Sequence, residues 1–71
     1  MSQHEIYKII KELGGEATPK QIRERAKEKF PEYSLWQYVG DRLTKLEKKG
    51  YIKRIIRNNQ VIWKIIEDWN Q

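Results

Sequence analysis

Residues 43–66 read LTKLEKKGYIKRIIRNNQVIWKII, and they place the end of a helix directly before two β-rich segments. Leu43 and Leu46 belong to an apolar stripe with helical spacing that continues upstream. Gly50 is the residue type that most often follows a last helical turn, so it predicts the end of this helix. A helix that leads straight into a pair of strands indicates an α+β fold.

The two β-rich segments flank Asn58 and Asn59, and asparagine tolerates the positive φ angles that a two-residue turn requires. They predict a β-hairpin over residues 51–66. The expected cross-strand pairs are Ile56 with Val61, Arg54 with Trp63, and Ile52 with Ile65. That face is nearly all apolar, so we assign it to the core, with Arg54 placed to stack on Trp63. The other face is mostly polar apart from an Ile55–Ile62 pair.

Upstream of the hairpin, start and stop signals divide the chain into three helices. Capping boxes mark the starts: Ser2 with Glu5, Thr18 with Gln21, and Ser34 with Gln37. Gly14-Gly15 and Pro31 end the first two helices. The expected bounds are about 2–13, 19–30 and 35–49, with a very short strand at Glu16-Ala17 and a tail over 67–71. The stripe of the third helix comprises Leu35, Val39, Leu43 and Leu46.

Length and charge bound the kind of protein. The chain has 71 residues, which is enough for one domain over 1–71. Its net charge is +5, concentrated in two segments: five cations against two carboxylates in residues 20–29, and seven against one in residues 42–57. Positive charge gathered in this way is compatible with a polyanionic partner and equally with a solvated, lysine-rich surface.

Several classes of function find no support in the residues. The chain has no cysteine, which excludes disulfides and thiolate metal sites. His4 is the only histidine, and we expect it to be solvated because a ligand set or a catalytic triad needs convergent partners. We therefore expect no enzyme activity, no catalytic or metal-binding residue, no cofactor and no small-molecule ligand.

The sequence also leads to an expectation about where in the cell the protein is located. No apolar run is long enough to cross a membrane, and the first five residues do not resemble a secretion signal. We expect a cytoplasmic, nucleoid-associated protein, without a membrane partner. Met1 favours a whole protein over an excised domain.

Leu43 to Ile52, LTKLEKKGYI, match the pattern L-x-x-L-x-x-x-G-[YLF]-[IV]. In this stretch the chain resembles the winged helix-turn-helix domains of MarR-, ArsR- and PadR-like regulators, where the pattern joins the recognition helix to a basic wing. The resemblance extends coarsely over residues 2–66. It implies that helix three enters the major groove of duplex DNA and that the wing lies along the backbone or the minor groove.

The resemblance also implies a set of DNA-binding residues. Gln37, Gly40, Asp41, Thr44, Lys45 and Lys48 would face the groove, Arg54, Arg57, Asn58, Asn59 and Gln60 would lie on or near the wing, and Lys20 and Arg23 would meet phosphates. No arginine stands in the middle of the groove-facing set, so the commonest guanine contact is missing there. Asp41 would repel phosphate unless it reads cytosine or pairs with a lysine. Modest sequence selectivity is expected.

A second hypothesis concerns proteins as partners. Trp69 stands in a polar tail and rarely stays solvated in such a setting, so it either folds back onto helix one or buries against a second subunit. Tyr7, Ile55, Ile62, Ile66 and Trp69 are the candidate partner or homodimer surface. The function predicted first is a transcriptional regulator or small architectural DNA-binding protein. The alternative is a winged-helix docking module in a replication, repair or transcription assembly.

Overall fold

The computed structural model of the chain describes residues 2–33 and 36–69. Its elements are α1 (Gln3–Glu12), β1 (Glu16–Ala17), α2 (Pro19–Lys29), a 3₁₀ turn (Pro31–Tyr33), α3 (Trp36–Lys48), β2 (Ile52–Arg57) and β3 (Gln60–Ile65). Over these described ranges the fold is α+β, with three α-helices and an antiparallel three-stranded sheet in the order β1-β3-β2. The predicted α+β class, the short strand and the hairpin are confirmed, and the 3₁₀ turn is an addition.

The first two helices start at the predicted capping boxes. Ser2 Oγ accepts a hydrogen bond from the backbone N–H of Glu5, whose carboxylate accepts one from the Ser2 N–H in return. Thr18 and Gln21 make the same reciprocal pair at α2, with Pro19 in the first turn. These bonds satisfy N–H groups that a helix start leaves without partners. Ser34 and Leu35, on which the third capping box and part of the α3 stripe depend, lie outside the described residues.

Glycine ends α1 and α3 in the same way. Gly50 has φ +84°, and the N–H of Tyr51 donates to the carbonyl of Leu46 at 3.1 Å. Gly14, with φ +101°, occupies the equivalent position after α1. This left-handed conformation is open to glycine without steric strain, and it satisfies carbonyls of the last turn. The turn after α3 therefore sends the chain directly into β2.

The hairpin has the predicted register. Arg54 pairs with Trp63 and Ile52 with Ile65, and the two turn residues Asn58 and Asn59 have φ angles of 53° and 63°. Two positive φ angles in succession define a type I′ turn, which matches the twist of paired strands. β1 joins β3 on its other edge, with Ala17 opposite Trp63.

The core lies between the three helices and one face of the sheet. Its buried residues within the described ranges are Ile6, Tyr7, Ile9, Ile10, Ala17, Ile22, Ala26, Val39, Leu43, Leu46, Ile52 and Trp63. The assignment of the hairpin face to the core is right for Ile52 and Trp63 and wrong for Ile56, which is 68% exposed. Ile56 stands one residue pair from the end of the hairpin, next to the exposed turn.

The tail folds back onto α1. The Trp69 ring stacks on Tyr51 with centroids 4.7 Å apart, and its backbone N–H donates to the Tyr7 hydroxyl at 3.1 Å. The same hydroxyl donates to the Glu67 carbonyl. Of the two predicted placements of Trp69, the structure has the packing against helix one. His4 is half-buried against Trp69, at 5.0 Å between ring centroids, so its predicted solvation is wrong.

Candidate nucleic-acid interface

The exposed side of α3 is mostly polar between Gln37 and Lys48, with Tyr38 as its exposed aromatic residue. Val39, Leu43 and Leu46 hold the opposite side in the core, which fixes the rotation of the helix about its axis. The predicted groove-facing side chains Gln37, Asp41, Thr44, Lys45 and Lys48 are all exposed, and Gly40 is half-buried. The helix can therefore present these side chains together to a partner.

Asp41 is engaged with two cations of its own helix. Its Oδ2 lies 2.7 Å from Arg42 Nη1 and 3.3 Å from Lys45 Nζ. The hydrogen bond from Lys45, followed by that from Arg42, lowers the pKa of Asp41 below its ordinary value. Of the two roles predicted for Asp41, pairing with a lysine is the one that the unbound chain adopts. The charge of Lys45, one of the two lysines predicted to face the groove, is thus partly neutralised.

Thr44 is also engaged within α3. Its hydroxyl donates to the Gly40 carbonyl at 3.0 Å, one turn earlier in the helix. The oxygen keeps its capacity to accept a hydrogen bond, and the side chain stays exposed. Thr44 can therefore accept from a base or touch a thymine methyl without losing its internal bond.

A shallow cleft separates α3 from the hairpin and contains part of the predicted set. It is lined by Gln37, Gly40, Asp41, Leu43, Thr44 and Glu47 from α3, and by Arg54 and Trp63 from the hairpin. The Arg54 guanidinium lies 5.4 Å from the centroid of the Trp63 ring, as the sequence predicts, and its Nη2 is 3.9 Å from Glu47 Oε1. Arg54 thus connects the wing to α3.

Glu47 is the residue of this cleft that sequence reasoning missed. In the sequence it is the single carboxylate among residues 42–57. The charge pattern of these residues does not indicate that Glu47 pairs with a cation of another element. In the structure it is half-buried between α3 and Arg54. Its carboxylate offsets positive charge where the helix and the hairpin meet.

The remaining wing residues lie away from the cleft. Arg57 forms an ion pair with Glu16 on the sheet face opposite to Arg54. Asn58, Asn59 and Gln60 are exposed at the tip of the hairpin. The two arginines of the hairpin therefore point to opposite sides, as the predicted register implies, whereas the ion pair between Arg57 and Glu16 was not predicted.

Lys20 and Arg23 form a separate patch on α2. With Lys27, Pro19 and Glu24 they line a shallow depression on the exposed side of that helix. Within residues 2–33 and 36–69, neither Lys20, Arg23 nor Lys48 has an ion pair with a carboxylate. No ion pair among the described residues offsets the charge of these three cations.

The chain matches no protein-family model, no curated protein and no solved structure. Among the residues that the structure describes, no group of histidine, aspartate and glutamate side chains is arranged to hold a metal ion. None of the described helices has the length and apolar character needed to span a membrane. The case for a function therefore depends on the geometry and charge of the surface.

The predicted partner surface is reduced by the fold. Tyr7 is 1% exposed and belongs to the core, so its place on an exposed surface is wrong. Trp69 is half-buried against Tyr51 and Tyr7. Ile55 and Ile62 are half-buried on the outer sheet face, and Ile66 is 48% exposed at the base of the hairpin. Of the predicted partner surface, the three isoleucines are therefore accessible, whereas the two aromatic residues pack within the chain.

Proposed function

We propose that the chain is a winged-helix domain that binds duplex DNA, with α3 in the major groove and the hairpin β2–β3 as the wing. The single observation that carries the proposal is the position of the polar side of α3 next to a hairpin that holds only positive charge. Residues 51–66 contain four cations, Lys53, Arg54, Arg57 and Lys64, and no carboxylate. An exposed helix of 13 residues beside a basic ribbon fits the width of the major groove and the adjacent backbone.

The order of elements supports the same proposal. Three helices followed by an antiparallel hairpin, with a short strand after α1 that completes the sheet, is the layout expected of a winged helix. The Arg54 contact with Trp63 and Glu47 holds the hairpin beside α3. The two parts that would contact DNA are therefore positioned before binding, which limits the entropy lost on association.

Affinity would come mainly from cations that have no internal partner. Lys48 on α3 and Lys20 and Arg23 on α2 can meet phosphates without breaking an ion pair, whereas Lys45 must exchange Asp41 for phosphate. We propose a transcriptional regulator or a small architectural protein with modest sequence selectivity. Several cations are already paired with carboxylates, so fewer are available for phosphates than the net charge suggests. The affinity for DNA should therefore depend less steeply on salt concentration than the net charge implies.

The experiment that tests the proposal is fluorescence anisotropy of a random-sequence duplex at several salt concentrations. Affinity that falls log-linearly with salt is the expected result for the wild type. Lys48→Glu should weaken binding about tenfold, because it removes one phosphate contact and adds a repulsive charge. Lys8→Glu is the matched control, since α1 contributes no residue to the cleft between α3 and the hairpin. Absence of binding at low salt, or equal losses in the two variants, would refute the proposal.

The docking alternative has less support from the surface. The aromatic residues that would anchor a protein partner, Tyr7 and Trp69, already pack within the chain. Trp69→Ala is consequently a test of stability and cannot report docking alone. Ile62→Ala on the outer sheet face is the cleaner variant for a pull-down experiment if duplex binding is not found.

A further inference from the structure

Ile56 is a large apolar side chain placed where the fold does not bury it. It belongs to the same face of β2 as Ile52 and Arg54, because side chains alternate along a strand. Ile52 on this face is 1% exposed, whereas Ile56 is 68% exposed. Apolar surface stabilises a fold only where it leaves water, so Ile56 contributes little to the stability of the chain.

The surroundings of Ile56 distinguish it from an ordinary exposed isoleucine. Arg54 precedes it on the same face and Arg57 follows it in the strand. Glu47 and Glu16 pair with these two arginines, but no carboxylate occurs within residues 51–66. The tip of the hairpin beyond it, from Asn58 to Gln60, is polar and exposed. A partner that carries phosphates around an apolar interior would complement this arrangement. Its phosphates would meet the cations of the hairpin, and its interior would meet the isoleucine.

Backbone geometry holds Ile56 in a fixed direction. It pairs with Val61 across the hairpin, directly inside the last pair, Arg57 with Gln60. The type I′ turn at Asn58 and Asn59 closes the two strands without a flexible loop. A β-branched side chain has few rotamers, so little conformational entropy is lost when it enters a narrow space.

We propose that Ile56 is an apolar wedge that enters the minor groove of the bound duplex and partly unstacks one base step. This inference rests on the proposed function, since it places the wing on DNA. Isoleucine is one of the side chains that architectural proteins insert between base pairs, and such insertion bends the duplex toward the major groove. The bend brings the flanking phosphates toward Arg54 and the polar tip. The chain is then an architectural protein that bends DNA.

Energy transfer between fluorophores on the two ends of a short duplex tests the wedge. The wild-type protein should shorten the end-to-end distance, corresponding to a bend of about 20° or more. Ile56→Thr keeps the β-branched shape and should abolish the bend and weaken binding about tenfold, because it removes the apolar contact. Ile56→Val should retain most of the bend. Ile66→Thr is the matched control, as Ile66 is 48% exposed at the base of the hairpin.

The fold of the variants is checked by thermal unfolding. Ile56→Thr should unfold at nearly the wild-type temperature because it removes little buried surface. A change in binding at an unchanged unfolding temperature then reports the contact with DNA and not loss of structure.

Each contrary outcome has a distinct meaning. If the wild type binds DNA without bending it, or if Ile56→Thr bends DNA as the wild type does, the wedge is overturned and the proposed function stands. If the wild type binds no duplex, both fail together. If sedimentation finds a dimer that Ile56→Thr dissociates while DNA bending persists, Ile56 belongs to an interface between two copies of the chain and the wedge is again overturned.

Discussion

Asp41 is the residue that most limits the positive charge of the exposed side of α3. It holds Arg42 and Lys45 in ion pairs, and those contacts lower the pKa of its carboxyl group. The carboxylate is therefore charged at neutral pH, and it would repel a phosphate in the proposed complex with DNA. Exposed ion pairs of this kind contribute little to stability, so a change at Asp41 mainly alters the electrostatics of the surface.

Asp41→Asn should increase the affinity for a random-sequence duplex. The substitution frees Lys45 for phosphate and removes a repulsive charge, so the slope of log affinity against log salt should steepen by about 1. Fluorescence anisotropy over a salt series measures both quantities. Glu67→Gln is the matched control, because it changes the net charge by the same amount but lies in the tail. It should leave the slope of log affinity against log salt unchanged. Weaker binding by Asp41→Asn would instead indicate that Asp41 reads a base directly.

At the scale of elements, the turn of the hairpin depends on two residues in the left-handed region. Asn58 and Asn59 have φ angles of 53° and 63°. This left-handed backbone conformation costs about 1–2 kcal/mol for a residue whose side chain makes no local hydrogen bond. Glycine is free of this penalty, and β-branched residues bear it most heavily. The conformation of the turn also sets where Ile56 stands, two residues earlier on β2.

Asn59→Gly should raise the free energy of unfolding by about 0.5 kcal/mol, and Asn59→Val should lower it by about 1–2 kcal/mol. Denaturation in urea, followed by circular dichroism, measures both changes. Gln60→Val is the matched control because it places the same side chain one residue later, in extended β3. Equal effects of valine at the two positions would contradict the assignment of a type I′ turn.

The contact between α1 and α2 depends partly on Glu12. Its carboxylate pairs with Lys29 and lies 3.3 Å from Arg25, both on α2. The hydrogen bond from Lys29 lowers the pKa of Glu12 from its ordinary value of 4.5. A carboxyl group with a lower pKa in the folded state stabilises the fold above the unfolded-state pKa, and this contribution is lost as the pH falls through the folded-state pKa.

The unfolding temperature should therefore fall as the pH is lowered through the ordinary pKa of 4.5 and below it. Glu12→Gln should lack part of this fall, because the group that takes up the proton is absent. Thermal unfolding by circular dichroism at a series of pH values is the measurement. Glu24→Gln, at a carboxylate without an ion pair among the described residues, should retain the full fall. Identical profiles for the two variants would contradict the role of Glu12.

At the scale of the whole molecule, a cluster of aromatic rings joins the two ends of the chain. Tyr7 of α1, Tyr51 before β2 and Trp69 of the tail are in mutual ring contact, and Lys49 lies 6.0 Å from the centroid of Trp69. The Tyr7 hydroxyl donates to the Glu67 carbonyl and accepts from the Trp69 N–H. Tyr7 belongs to the core, and Tyr51 and Trp69 pack against it, so this cluster enlarges the small core that a domain of this length can form.

Trp69→Ala should lower the free energy of unfolding by about 2 kcal/mol, through loss of ring contacts and buried apolar surface. Urea denaturation measures the change, and Trp69→Phe should retain about half of the contribution. The DNA affinity of the folded Trp69→Ala protein should equal that of the wild type, because the ring lies outside the cleft between α3 and the hairpin. Unaltered stability would show that the tail packs differently in solution.

The sequence alone determined the elements and their order, because the signals for them are local. Capping pairs, Gly50, Pro31 and the Asn58-Asn59 turn act within four or five residues, and the apolar spacing of α3 and the alternation of the hairpin identify the buried faces. The register of the hairpin followed from the length of its turn. The fold class and the Arg54 contact with Trp63 were therefore predictable.

Only the tertiary structure decided which side chains of those faces are buried, paired or free. Ile56 lies on the core face of β2 and is nevertheless exposed, one residue pair from the end of the hairpin. Tyr7 and Trp69 turn inward because the tail crosses α1, 62 positions away in sequence. Glu47 and Glu16 engage the two wing arginines from elements distant in the chain. Contacts of this kind depend on how elements pack in three dimensions, and no local pattern of residues encodes them.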